Sequence, residues 1–340
     1  MINTLWFLVL ALMLAAYAVL DGFDLGVGAL HLLVGRTREE RATSIAAIGP
    51  VWNGNEVWLI AAGGAMVVAF PRFYASAFSG FYLALMGALW LLALRGIALE
   101  LRHQVDDSLW HDAWDAVFSL SSALLALLFG VAVGNVLRGV PLDIEGRFQG
   151  SLALLLNPFA LLCGLLSLVS LALHGATYLA MKTTGPLGAR ARRAVLPLWT
   201  GTAVLLVAVA VASEAVHPGF AANFGRWPAL LVLPIGVLTA AIAVPVCAWR
   251  GRDPGAFTAS SALLATVLGA VAAGLYPRLL PALAGSGGQA LDVYNAASTP
   301  RSMVVALGVY LVGLALVLVY VLTVYRVWRG KVGADQGYHA

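Results

Sequence analysis

The sequence predicts an all-α integral membrane protein, and three observations carry that prediction. Apolar residues make up 61% of the 340-residue chain and charged residues 11%, against roughly 45–50% and about 25% in soluble domains. The apolar residues gather into repeated runs of about 20 or more, the length needed to cross the hydrocarbon core as a helix. Within each run they are continuous, unlike the two-residue alternation of an outer-membrane barrel.

Nine such runs follow in order, at about 5–33, 43–70, 74–100, 115–137, 156–181, 195–217, 228–249, 257–280 and 303–327. The first begins directly after Met1–Thr4, without a basic leader, and is too long for a signal-peptide core, so it reads as a permanent span. The connections are short and carry Gly, Pro and Arg: Gly35-Arg36-Thr37-Arg38, Pro71-Arg72, Gly185-Pro186-Leu187-Gly188, Gly251-Arg252-Asp253-Pro254-Gly255 and Gly285-Ser286-Gly287-Gly288. None is long enough to fold by itself, so residues 1–340 form a single polytopic domain. Cys163 and Cys247 both lie in apolar runs and read as packing residues, not a disulfide or metal pair.

Basic residues concentrate on alternate connections. One set holds Arg36, Arg38 and Arg41; Arg95 and Arg102; Lys182, Arg190, Arg192 and Arg193; Arg250 and Arg252; and Arg326, Arg329 and Lys331. The other holds Arg72, Arg138, Arg147, Arg226, Arg278 and Arg301. Positive residues favour the cytoplasm, which places the N-terminus outside and the C-terminus inside. The formal charge of +4 thus concerns membrane orientation, and gives no reason to expect nucleic acid.

Polar residues inside these runs are the candidate site. Asp21 and Asp24 are three apart, so they share one helix face. Gly22 and Gly26 form a GxxxG step that permits close approach of another helix. Ionised acids at this depth cost several kcal/mol unless they pair, face a cavity or stay protonated, so the pair is either a proton or cation path or a structural contact. The second stretch, Trp52-Asn53-Gly54-Asn55-Glu56-Val57-Trp58, cannot place Asn53, Asn55 and Glu56 on one face. Glu56 is its titratable member; the alternative assigns the amides to helix–helix bonding and Trp52 and Trp58 to filling space. The predicted orientation brings Asp21, Asp24 and Glu56 into one slab of membrane if the first two spans pack together.

Other polar groups are weaker candidates. His31 lies two turns after Asp24 on the same face and either relays protons or caps its helix. His174 is a haem ligand only with an opposing His or Met and an open pocket; a bond to a neighbouring helix is the simpler role. Glu100, Arg102, His103, Asp106, Asp107, His111, Asp112 and Asp115, beside Trp110 and Trp114, read as an interfacial turn, with a metal site at His103, Asp107 and His111 as the alternative. Glu214 and His217 read as solvated end groups. Walker, CxxCH, zinc and serine-elbow motifs are absent.

The motif Asp21-Gly-Phe-Asp-Leu-Gly-Val-Gly28, followed by Ile48-Gly-Pro-Val-Trp-Asn-Gly-Asn-Glu-Val-Trp58, Ala61-Ala-Gly-Gly-Ala65 and Ala77-Phe-Ser-Gly-Phe-Tyr82, resembles subunit II of cytochrome bd-type quinol oxidases. Gly134-Asn135 with Gly139-Val-Pro141, Leu156-Asn-Pro-Phe159, Tyr294-Asn-Ala-Ala-Ser-Thr-Pro300 and Tyr325-Arg-Val-Trp-Arg-Gly-Lys331 extend the resemblance over essentially the whole chain. The cyanide-insensitive branch lies nearest.

The resemblance implies two four-helix bundles plus one peripheral helix, in a bacterial cytoplasmic (inner) membrane. It implies a partner, subunit I, holding two haems b, haem d and the quinol site, while this chain binds no haem. It leaves room for a small single-span third subunit, and for lipid and quinone. Such a complex oxidises quinol and reduces dioxygen to water with protons from the cytoplasm. In the family, a carboxylate after the motif's first tryptophan belongs to a proton route; here that position is Asn53. Either Glu56 supplies the group or water passes Asn53 without a titrating step.

Two other classes remain open at this point. A stand-alone proton- or cation-coupled secondary transporter predicts inverted repeats with facing broken helices, and no clear pair of these is visible. A purely structural subunit predicts that substitutions at Asp21, Asp24 and Glu56 alter assembly and not rate.

Overall fold

The computed structural model describes residues 1–332. Helices α1 (Ile2–Val34), α2 (Arg38–Ile48), α3 (Trp52–Ala69), α4 (Pro71–Gly80), α5 (Tyr82–Leu101) and α6 (Ser108–Arg138) are followed by the single turn α7 (Leu152–Leu155). Then come α8 (Pro158–Lys182), α9 (Gly185–Val216), the short α10 (Ala222–Arg226), a 3-10 turn at Pro228–Leu231, α11 (Val232–Trp249) and α12 (Asp253–Leu275). A small antiparallel pair, β1 (Arg278–Leu280) with β2 (Leu291–Asp292), precedes α13 (Pro300–Val327).

Eight of the helices are long and apolar enough to cross a membrane. Helix α3 is not among them, because Asn53, Asn55 and Glu56 dilute its apolar character over 18 residues. The expected second span, 43–70, divides at Gly49-Pro50, where proline lacks the N–H that would continue the helical ladder. Its first part, α2, is polar and starts with a capping box between Thr37 and Glu40. The expected third span, 74–100, divides at Phe81, leaving α4 as a separate short helix whose first residue is Pro71.

Helix α1 packs against α3, α6, α8 and α12. Helix α8 packs against α6, α9 and α12, while α11 joins α12 and α9 and α5 joins α6. Small residues allow the closest crossings. A Cβ added to Gly26 would stand 1.9 Å from the Leu171 carbonyl oxygen, and one on Gly175 would stand 2.3 Å from the Gly26 carbonyl carbon. Backbone therefore meets backbone where α1 crosses α8, as the GxxxG step predicts. Helix α13 lies along α3, where Tyr310 donates to the Ala61 carbonyl at 3.2 Å.

Loops close the end that holds the start of α1. Asn3 donates to the Val293 carbonyl at 2.6 Å, and the Trp6 indole donates to that of Met303 at 3.1 Å. At the opposite end Arg190 pairs with Glu40 and donates from Nε to the Val34 carbonyl at 2.7 Å. That contact and two backbone N–H donors draw the Glu40 carboxyl down to about 2.

Candidate functional site

Three helices bring the intramembrane charges together. The i, i+3 spacing of Asp21 and Asp24 turns both toward the same interior face of α1, and both are fully buried. Helix α5 carries Arg95 to them. Its Nη2 donates to Asp21 Oδ1 at 2.6 Å and its Nη1 to Asp21 Oδ2 at 3.0 Å, a two-pronged pairing between completely buried side chains. Helix α3 adds Asn55, which donates to Asp24 Oδ2 at 2.7 Å and to the Leu20 carbonyl at 2.9 Å. Tyr325 of α13 donates to Asn55 Oδ1 at 3.2 Å, so the amide ties three helices.

Glu56 approaches the same guanidinium from α3, with Oε1 3.5 Å from Arg95 Nη1 and a side chain 25% exposed. Asn53 lies on the exposed face of α3 and Trp58 is buried, while Trp52 is half-buried. The Trp52 ring reaches α5 where Gly96 leaves room for it. Asp24 Oδ1, Glu56 Oε1 and Arg95 Nε are buried without a hydrogen-bond partner among the described residues. Two carboxyl groups, Asp21 and Glu56, thus meet one guanidinium, and Asp24 joins them through Asn55; acids at this depth must pair or stay protonated.

Arg95 is the residue that sequence reasoning misplaces. Assigned to a cytoplasmic connection, it instead stands well inside α5 and supplies the counter-charge to Asp21. The available signal was its position within the apolar run 74–100, since a cation at that depth requires a partner.

A second buried network lies at the far end of α1. His31 Nε2 is 2.8 Å from Asp115 Oδ1, and its Nδ1 is 2.8 Å from the Ser44 hydroxyl. Arg102 Nε donates to Asp115 Oδ1 at 2.5 Å, and Arg41 bridges Asp112 at 2.9 Å and Asp115 at 3.4 Å. Within the stretch read as an interfacial turn, Asp115 and Arg102 are buried and lock α1, α2, α5 and α6 together. In contrast, Asp107 caps α6, accepting from the N–H groups of Leu109 and Trp110. His103, Asp107 and His111 form no metal-binding group; among the described residues no such cluster occurs.

His174 is fully engaged. Nε2 donates to the Val19 carbonyl at 2.9 Å, Nδ1 meets the Ser260 hydroxyl at 2.7 Å, and the ring stacks on Phe257. His217 is half-buried and 3.3 Å from Arg278 Nη1, in place of a free solvated end.

The sequence profile of the family described as Cytochrome bd terminal oxidase subunit II matches residues 2–328. The chain is 33% identical over 358 residues to the Cytochrome bd-I ubiquinol oxidase subunit 2 of Escherichia coli, covering 95% of this chain and 92% of that protein. It is 30% identical over 304 residues to the Cytochrome bd ubiquinol oxidase subunit 2 of Bacillus subtilis, covering 89% and 88%. Its fold is similar to a chain in the structure of bd oxidase from Geobacillus thermodenitrificans, with a TM-score of 0.79 at 18% identity over 96% of this chain and 98% of that one.

Proposed function

The chain belongs to the cytochrome bd terminal oxidase subunit II family, and from that premise we propose that it works as the haem-free partner of subunit I and supplies its proton path. The complex oxidises quinol and reduces dioxygen to water. This reading places the protein in the bacterial inner membrane, and full-length likeness to oxidase subunits disfavours a stand-alone transporter.

The observation that carries the proton role is the meeting of Asp21 and Glu56 at Arg95, with Asp24 held beside Asp21 by Asn55. Asp21 holds the guanidinium in a fixed bidentate pair, so Asp24 and Glu56 are the members left to exchange protons. Glu56 is the partly exposed one and serves as the exit from the cluster toward the partner subunit. The haems b and haem d are assigned to subunit I. Supporting this, both ring nitrogens of His31 and of His174 already have partners within this chain.

In this reading α3 completes a set of nine spans with the eight more apolar helices. Helices α1, α3, α5 and α6 form one bundle, α8, α9, α11 and α12 the second, and α13 is peripheral. Arg95 and Arg102 drop out of the orientation count because they are buried. The remaining arginines and lysines still favour an external N-terminus and a cytoplasmic C-terminus.

The test is Glu56→Gln in the assembled oxidase. A proton carrier of this kind contributes about 10²–10⁴-fold to rate, so oxygen reduction falls by at least about tenfold while the haem spectra keep their normal form. Unchanged turnover across the pH range removes Glu56 from the route. Loss of haem spectra together with turnover favours the purely structural role.

A further inference from the structure

Helices α6, α9 and α12 end together on the face that holds the start of α1, at Arg138, Val216 and Leu275. Their ends and the loops that follow enclose a cavity of about 310 Å³, lined by Arg138, His217, Arg278, Pro281, Ala282 and Gly288 among others. Every other lining residue is Val, Pro or Ala, and no carboxylate lines it among the described residues.

The two arginines here differ from several elsewhere. Arg41, Arg95, Arg102, Arg190 and Arg192 each pair with an acid, whereas Arg138 and Arg278 form no ion pair among the described residues. Arg138 is half-buried and Arg278 is exposed. Arg278 donates from Nη1 to His217 Nε2 at 3.3 Å, a contact that fixes its guanidinium beside the cavity.

Acids in the adjoining segments are committed to other donors. Asp143 accepts from the N–H groups of Glu145 and Arg147 and from Gln149, and Asp292, opposite Arg278 in the strand pair, accepts from the N–H groups of Tyr294 and Asn295. Glu214 faces the Gly219 N–H and does not line the cavity. Two cations at the rim of a cavity that no carboxylate lines, among the described residues, favour an anion. Planar guanidinium forks favour one with several oxygens, as in phosphate.

We propose that this cavity binds a phosphate group, and that its source is the headgroup of an anionic phospholipid. Its place argues for the lipid. The cavity lies where three apolar helices stop, the level at which headgroups sit, and Val216 and Pro218 offer apolar wall beside the two charges. The site is separate from the Asp21–Arg95 cluster and does not depend on the proton route.

The test uses the detergent-purified oxidase complex, stripped of loosely held lipid and followed by native mass spectrometry and thermal unfolding. Phosphatidylglycerol, phosphatidylcholine and inorganic phosphate are titrated separately. The wild-type complex is expected to retain one more phosphatidylglycerol than R138Q/R278Q, and to bind it about tenfold or more tightly, the loss expected for two cations near the headgroup layer. The variant R138K/R278K keeps most of that binding, and normal haem spectra in both variants report intact assembly. Protection by inorganic phosphate equal to that by phosphatidylglycerol retains the phosphate site and assigns free phosphate as its source. Equal retention by wild type and R138Q/R278Q, or equal affinity for phosphatidylglycerol and phosphatidylcholine, overturns the proposal. Should R138Q/R278Q fail to assemble, salt titration of the wild-type complex decides: retention insensitive to salt overturns it as well.

Discussion

Substituting Gln for Arg95 withdraws the guanidinium that meets Asp21 and Glu56 while keeping an unbranched polar side chain in its place. The magnitude follows from the burial of the pair. Arg95 and Asp21 are both 0% exposed and joined by two bonds of 2.6 and 3.0 Å. Removing one member of a buried pair costs about 3–5 kcal/mol, because the other is left as an uncompensated charge. The same reasoning predicts a smaller loss for Asp21→Asn, which removes the bidentate partner of Arg95 and leaves it only Glu56 at 3.5 Å. The double variant D21N/R95Q leaves neither charge stranded, and replacement of a buried ion pair as a unit is often close to neutral. Both single variants should therefore assemble less well than the double. Yield of the complex by size exclusion and the thermal midpoint of its haem absorbance measure this. The reasoning is refuted if R95Q costs less than about 1 kcal/mol, or if the double variant shows the sum of the two single losses.

Two further predictions address the scaffold. Gly26→Val places a side chain where a Cβ already lies 1.9 Å from the Leu171 carbonyl oxygen, so α1 and α8 are forced apart and little complex is recovered; normal assembly of that variant would show that the crossing is not tight. At the polar end, the Glu40 carboxyl is drawn down to about 2 by Arg190 and by backbone N–H donors. A lowered value in the folded state means its contribution is complete above the ordinary carboxylate range and is lost as pH falls toward 2. At a partly exposed pair this amounts to about 1 kcal/mol or less. Glu40→Gln should therefore lower the thermal midpoint slightly at neutral pH and flatten the acid limb, and an unchanged acid limb argues against the contact.

The apolar runs were legible because burial in lipid imposes one rule on every spanning residue, so the spans follow from composition. Their ends and breaks were less so. Gly49-Pro50 lies in an apolar stretch, yet there the missing proline N–H outweighs hydropathy and separates α2 from α3. Site residues on α1 and α3 stood out as charges in hydrocarbon. Their partners did not, since pairing depends on which helices meet and not on distance along the chain. Arg95 is 74 residues from Asp21, and Asp115 is 84 from His31. A cation near the end of an apolar run looks the same in sequence whether it meets headgroups or reaches back to a buried acid.

Helix geometry bears on the departure at Asn53. Asn53 and Glu56 are three residues apart on α3, so they lie on neighbouring parts of its surface while Asn55 points to the interior. Asn53 is exposed, Glu56 stands at the rim, and Asn55 is buried against Asp24. A proton moving between the Arg95 cluster and the outside of this chain crosses the rim. That crossing is the step at which hydrocarbon excludes water and a titratable group is most useful. Position 53 lies past it, on a surface open to water or to the partner subunit, where an amide interrupts nothing inside this chain. On the proposed proton path, the two alternatives left by the sequence, a carboxyl at Glu56 or water at Asn53, are compatible as successive parts of one route. That path predicts a larger loss of oxygen reduction for Glu56→Gln than for Asn53→Ala, and equal turnover of the two variants refutes it.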